Sequence, residues 1–131
     1  MRTAAFVLAF LCSSVWVSNS YAKRSAPKEV LPVSYEGVRY QVVHYKTDNG
    51  QQNGGYIEAV SVKDGKKKWG VLLYLVEYDP NLETDVQDCF ITSLRLDSGK
   101  KRLIATNAAR YLYYLDLKTQ KVMHVIPPRR R

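Results

Sequence analysis

Apolar and polar residues alternate along most of this chain, and short clusters of turn-forming residues interrupt the alternation. Val38, Tyr40 and Val42 fall on one face of the stretch 38–45, the period of a half-buried strand. The segments 56–63 and 67–78 predict two further strands joined by Asp64-Gly65, a strong short-hairpin signal. The second of these is apolar on both faces, with Trp69, Val71, Leu73 and Leu75 on one and Leu72, Tyr74 and Val76 on the other. That pattern predicts a central strand covered on both sides, or one that carries a partner surface. Phe90, Thr92, Leu94 and Leu96 are expected to face together. After the turn Asp97 to Lys100 come a strand over 102–106, a strand with Tyr111, Tyr113, Leu115 and Leu117 on one face, and a strand over 122–126. Thr119-Gln120 turns the chain between the last two, and Pro127-Pro128 stops the sheet. The polar run 47–55 reads as a flexible hairpin loop and 79–88 as an acidic loop opened by Pro80. No segment has a helical period. Seven or eight strands in a meander predict an all-β fold, a small antiparallel sandwich or barrel.

Two stretches share a form. Residues 56–69 run from Tyr56 through Asp64-Gly65-Lys66 to Trp69, and Tyr113 to Val122 repeats the shape with Asp116 and Thr119 in place. This resembles the hairpin of a quinoprotein-like β-propeller repeat, in which a strand ends in a D-x-x-T-G-K turn and a Trp follows. In the second stretch Gln120 stands where the repeat has Gly, and no Trp follows. The resemblance implies two propeller-blade-like, four-stranded antiparallel sheets packed face to face. A closed propeller needs at least four such blades, more than this chain supplies, so no cofactor or catalytic role is carried over.

The N-terminus adds a destination. Arg2 precedes an apolar run from Ala4 to Val17, and Ser20 and Ala22 occupy the small-residue positions of an A-x-A-like cleavage site. That is the layout of a secretory signal peptide, with cleavage expected between Ala22 and Lys23. The run is shorter than the roughly 20 residues of a membrane span. Lipid attachment at Cys12 is disfavoured by the bulky Phe10 before it. The expected organisation is therefore a signal peptide over 1–22, a flexible leader over 23–32, one β domain over 33–127 and a basic tail over 128–131. The product would be exported to a bacterial periplasm or the extracellular space. Cys89 is then the sole cysteine, so no internal disulfide forms. That, with the absence of any N-x-S/T acceptor, leans bacterial.

Charge and candidate chemistry change the picture less. The net charge of +8 would suggest nucleic acid in a cytosolic protein. In an exported one it suggests anionic polysaccharide, lipid headgroups or acidic proteins. The basic clusters are Lys66-Lys67-Lys68, Lys100-Lys101-Arg102 and Arg129 to Arg131, and the first two follow hairpin turns. Pointing the same way, those hairpins would form one cationic rim, with Trp69 beside Lys68 and Tyr111 beside Arg110 for stacking on sugars. The plainer reading is that edge lysines deter strand pairing and keep the domain soluble. Tyr113 and Tyr114 must face opposite sides of their sheet, which puts one on an outer face.

Glu77, Asp79, Glu83, Asp85 and Asp88 crowd the acidic loop, but their spacing is irregular and no Gly shapes a calcium turn. His44, His124 and Cys89 have no zinc-ligand spacing. A thiol enzyme using Cys89 with either His is one alternative, against which Cys89 reads as a small buried residue at a strand start. There is no G-x-S-x-G, phosphate loop or H-E-x-x-H. No catalytic residue, metal or cofactor is therefore expected. The expected function is a non-enzymatic binding or interaction module for a protein partner or a second copy. The alternative is a binder of anionic polysaccharide or lipid headgroups through the rim of Lys66, Lys67, Lys68, Trp69, Lys100, Lys101, Arg102, Arg110 and Tyr114.

Overall fold

The computed structural model describes residues 26–130. The expected signal peptide and its expected cleavage site between Ala22 and Lys23 lie outside the described residues. Eight strands form two four-stranded antiparallel sheets, each a simple up-and-down meander. The first holds β1 (Val33–Tyr35), β2 (Val38–Val42), β3 (Tyr56–Ser61) and β4 (Lys67–Leu72) in that order. The second holds β5 (Ile91–Asp97), β6 (Arg102–Asn107), β7 (Leu112–Asp116) and β8 (Val122–Ile126). The all-β reading holds. Single helical turns, α1 (Lys46–Asn49) and α2 (Thr84–Gln87), occupy the segments expected to be wholly irregular.

One core serves both sheets. Tyr40, Ile57, Ala59 and Leu73 from the first half meet Ile91, Leu103, Ala105, Tyr113 and Leu115 from the second. Ile57, Ile91, Leu103 and Leu115 are the largest fully buried side chains. Period-2 alternation places them, since Ile57 and Ala59, Leu103 and Ala105, and Tyr113 and Leu115 each point inward from one strand.

Two expectations about strands are corrected by local geometry. In β5 the register passes from Ile91 opposite Asn107 to Ser93 opposite Thr106, leaving Thr92 as an extra residue. This bulge shifts the phase, so Ile91, Leu94 and Leu96 face the core while Thr92 is exposed. Phe90 and Thr92 therefore do not share the face of Leu94 and Leu96. The second correction concerns 67–78. The strand ends at Leu72, and β4 is an edge of its sheet, not a centre. Leu75, read as core-facing, is 79% exposed.

Beyond Leu72 the chain crosses to the second sheet, and side chains take over the work of a ladder. Gln52 donates its amide to the carbonyls of Gly54 and Tyr74, both at 3.1 Å, and accepts from the Val76 N–H at 3.2 Å. Tyr74 lays its ring against Tyr113 of β7 at 4.9 Å and donates its hydroxyl to the Cys89 carbonyl at 2.6 Å. Gly54 closes the junction, because a Cβ there would overlap that same carbonyl. The loop 47–55, expected to be flexible, is thus pinned. Asn49 donates to the carbonyls of Val43 and Gln52, and Gly54 donates to the carbonyl of His44.

Gly54 and Gly50 have similar positive φ, 81° and 74°, but Gly50 has open space where a Cβ would go. Gly50→Ala should therefore cost only the left-handed penalty, about 1–2 kcal/mol. Gly54→Ala adds a backbone overlap and should cost roughly 3 kcal/mol or more. Urea unfolding of the two variants beside the parent chain reads the difference. Equal losses would mean that the junction yields freely around Gly54.

Candidate functional site

Meander topology sends alternate turns to opposite ends of a sheet, and here both sheets bring their odd-numbered turns to the same end. The connections 36–37, 62–66, 98–101 and 117–121 carry six lysines (Lys63, Lys66, Lys100, Lys101, Lys118, Lys121) against Glu36 and Asp64. The opposite end gathers 43–55, 73–90 and 108–111, with six carboxylates (Asp48, Glu77, Asp79, Glu83, Asp85, Asp88) against Lys46 and Arg110. The domain is an electrostatic dipole with a basic pole and an acidic pole.

At the basic pole a cavity of about 340 Å³ opens between the sheets. Tyr35, Glu36, Val38 and Tyr40 line it from the β1–β2 hairpin, Lys68 from β4, and Lys101, Leu117 and Lys118 from the second sheet. Backbone geometry aims these lysines. Lys68 is the extra residue of a bulge, since Ala59 pairs with Trp69 and Val60 with Lys67. Lys101 holds a positive φ of 48° as the last residue of its turn, and its carbonyl accepts the Leu117 N–H at 3.1 Å. Lys118 sits in a turn capped by Asp116, whose carboxylate accepts the N–H groups of Lys118 and Thr119 at 2.7 and 2.9 Å. Those backbone bonds hold the Asp116 carboxyl below its ordinary pKa.

The other residues of the expected rim are distributed differently. Lys66 is exposed at the hairpin tip, its N–H bonded to Asp64. Lys67 turns to the outer face, where its ammonium donates to the Tyr56 hydroxyl at 2.8 Å. Trp69 packs on Tyr40 at 5.8 Å along the core margin, so it is no exposed stacking platform. Lys100 is exposed within a 3₁₀ turn, Ser98–Lys100. Arg102 leaves the rim altogether. Its guanidinium bonds Asp97 at 3.0 Å and stacks over the Tyr114 ring at 4.5 Å on the outer face of the second sheet. Tyr114 also meets His124, ring to ring, at 5.9 Å. Arg110 sits in the β6–β7 connection at the opposite pole. The rim therefore reduces to Lys68 and Lys101, joined by Lys118, which the sequence reading passed over. Its place two residues after Asp116 in a capped turn is the signal that would have found it.

The acidic pole holds a larger cavity, about 540 Å³, bordered by Lys46, Gln51, Asn53, Tyr78, Thr84 and Asp88 among others. The Asp88 carboxylate accepts from the Tyr78 hydroxyl at 2.6 Å and from the Asn53 amide at 3.1 Å. Burial, then the bond to Asp88, pushes the Tyr78 hydroxyl up to about 12. Asp79 accepts from the Asn81 N–H, and Gln87 staples the loop by donating to the carbonyls of Asp79, Leu82 and Glu83. Among the described residues no three of His, Cys, Asp and Glu are grouped to hold a metal ion. Cys89 is a half-buried free thiol two residues ahead of β5, not a buried strand residue.

No family model matches this chain, and no curated protein matches it. Among solved structures, it is similar to a chain in the crystal structure of the mitotic checkpoint complex, at 10% identity and a TM-score of 0.44. The match covers 97% of this chain and 37% of that one, so the chain spans little more than a third of that protein's length.

His44 is the residue here with a pH signature. Its Nε2–H donates to the Lys28 carbonyl at 3.2 Å, its ring meets Phe90 edge-on at 5.4 Å, and its Nδ1 is buried without a hydrogen-bond partner among the described residues. A proton on Nδ1 would be a buried cation with no acceptor, so burial lowers the pKa below 6.5, against the smaller opposing effect of the Lys28 carbonyl. The sign follows by linkage. Above about pH 6.5 both folded and unfolded chains carry neutral His44, and its contribution to stability is complete. As pH falls from there through the folded pKa, the unfolded chain takes up the proton first and that contribution is lost. In His44→Phe, the fall in unfolding free energy between pH 7 and 5 should be shallower than in the parent chain. Matching slopes would mean that His44 titrates alike in both states.

Proposed function

We propose that this protein is an exported, non-enzymatic binding module that takes anionic ligands at its basic pole. The observation that carries the reading is the convergence of Lys68, Lys101 and Lys118, from three different strands and turns, on one cavity walled by Tyr35 and Tyr40. Between described residues the one ion pair within 4 Å is Arg102 with Asp97, so these three ammonium groups are not spent on internal bridges. Four further lysines in the surrounding turns, Lys63, Lys66, Lys100 and Lys121, raise the local potential and steer anions to the cavity. Aromatic and aliphatic walls beside the cations suit a ligand that joins negative groups to an apolar or planar body, as acidic sugars and lipid headgroups do.

The expected behaviour is binding to a sulfated-polysaccharide column or to vesicles containing phosphatidylglycerol, weakening steeply with salt. Lys68→Gln/Lys101→Gln/Lys118→Gln should elute at clearly lower salt than the parent. Lys28→Gln/Arg129→Gln/Arg130→Gln, the same change of charge placed elsewhere, should elute close to the parent. Equal shifts in the two variants would assign binding to net charge and overturn the cavity reading. Retention on the column without vesicle binding identifies polysaccharide as the source of the anion, and the reverse identifies a headgroup. Export has its own check: the chain recovered outside the cytoplasm should begin at Lys23 by mass spectrometry, and a chain found only inside the cell with Met1 still attached would overturn it.

A further inference from the structure

Two antiparallel sheets have four edges, and three of them carry a device against pairing with another chain. β1 is only three residues long and follows Pro32. β4 presents Lys67 and Lys68 together with a bulge. β5 has the Thr92 bulge, and Glu29, Val30 and Leu31 run beside Thr92, Ser93 and Leu94. Short edges, lysines, bulges and covering segments are the usual protections.

β8 departs from that pattern. One side pairs with β7, and among the described residues no strand pairs with the other. Its sequence, Val122-Met123-His124-Val125-Ile126, has no Lys, Arg, Asp, Glu or Pro. Met123, Val125 and Ile126 are exposed at 56%, 47% and 36%. Its bulge, at Met123, adds exposed apolar surface rather than a charge. An uncharged β-forming edge with bare N–H and C=O groups is a template for an added strand.

Charge decides between occupants. Lys118 and Lys121 precede β8, and Arg129, Arg130 and Arg131 follow it. A second copy pairing antiparallel through β8 would lay its arginine tail beside those lysines, like charge against like. An extended segment with an apolar centre and acidic residues at both ends meets cations at both ends in either direction. We infer that β8 is a docking edge for such a segment of a partner protein, which adds as a fifth strand to the second sheet. Pro127 has no N–H to give, so the paired length is the five residues of β8. His124 and Ile126 face outward with Tyr114 and Leu112, while Val122 and Val125 continue the inner row of Leu115 and Tyr113. The docked segment therefore needs apolar or β-branched side chains on both of its faces.

The test uses the full-length secreted chain and a fluorescent peptide, Asp-Glu-Val-Thr-Val-Thr-Val-Glu-Asp, followed by anisotropy and by hydrogen exchange of the β8 amides. The acidic-flanked peptide should bind and slow exchange within 122–126. A version flanked by Lys should bind about tenfold more weakly or worse, as should one with Pro at its centre. Val125→Lys, a substitution at an exposed position, should lower affinity by at least about tenfold while circular dichroism stays unchanged. A Lys68→Gln/Lys101→Gln variant, which weakens the cavity and keeps Lys118, should still bind the peptide, which separates this surface from the anion site. Equal binding of the acidic and basic peptides, or protection that appears away from β8, would overturn the inference. So would light scattering showing a dimer whose β8 amides are protected without peptide.

Discussion

A chain that leaves one sheet to start another must satisfy the backbone of the crossing segment without a strand beside it, and here one glutamine side chain does so. Gln52 is nearly buried and bonds the carbonyls of Gly54 and Tyr74 and the N–H of Val76. An unmet polar group at that depth would cost about 1–3 kcal/mol each time. The rest of the architecture follows from how this crossing is fixed. With Tyr74 bonded to the Cys89 carbonyl and stacked on Tyr113, the exit from β4 and the entry to β5 are held to one geometry. That geometry sets the second meander with its odd turns beside those of the first, and the two charge poles result.

The poles are a property of topology acting on sequence. Along the chain, acidic and basic residues look scattered. Once alternate turns are sorted to opposite ends, lysines collect at one and carboxylates at the other. The separation also explains why a single ion pair within 4 Å joins described residues. Opposite charges are kept apart, and the field of the basic end is left available to solvent and ligand. Basic composition alone would have implied a uniformly positive surface, which is a weaker basis for recognising anything.

Much of the fold was legible because a two-residue period is a strong signal. Asp64-Gly65 marked its hairpin, and the alternation through Tyr113 and Leu115 fell on core positions. The opposition of Tyr113 and Tyr114 is realised, with Tyr113 buried and Tyr114 under the Arg102 guanidinium outside. Reading failed where one residue breaks the period. The bulges at Thr92 and Lys68 each reverse the face of their neighbours, and nothing in local composition announces them. The cavity was half legible for the same reason: the hairpins whose lysine clusters include Lys68 and Lys101 were evident. Which lysine of each cluster turns inward depends on a bulge in one case and a left-handed residue in the other. The acidic-pole network was missed because Gln52, Asn53, Tyr78 and Asp88 are far apart in sequence and share no spacing rule.

The tyrosines settle how a domain whose one described cysteine is free closes its margins. Leucine seals a core only where it is fully covered, and a pair of four-stranded sheets has wide rims that are not. Tyr40 caps one rim against Trp69, and Tyr74 and Tyr113 cap the other with their rings inside. Tyr56 lies across Gly70, where any Cβ would overlap its hydroxyl, and takes a hydrogen bond from Lys67. Tyr56, Tyr74 and Tyr113 each remove ring area from water while the hydroxyl keeps a polar partner. A Phe at Tyr56 would leave the Lys67 ammonium without its acceptor, and one at Tyr74 would leave the Cys89 carbonyl without its donor. The rim is thus built from side chains that seal and bond at once, which is why the same residue type recurs at both poles and on both outer faces.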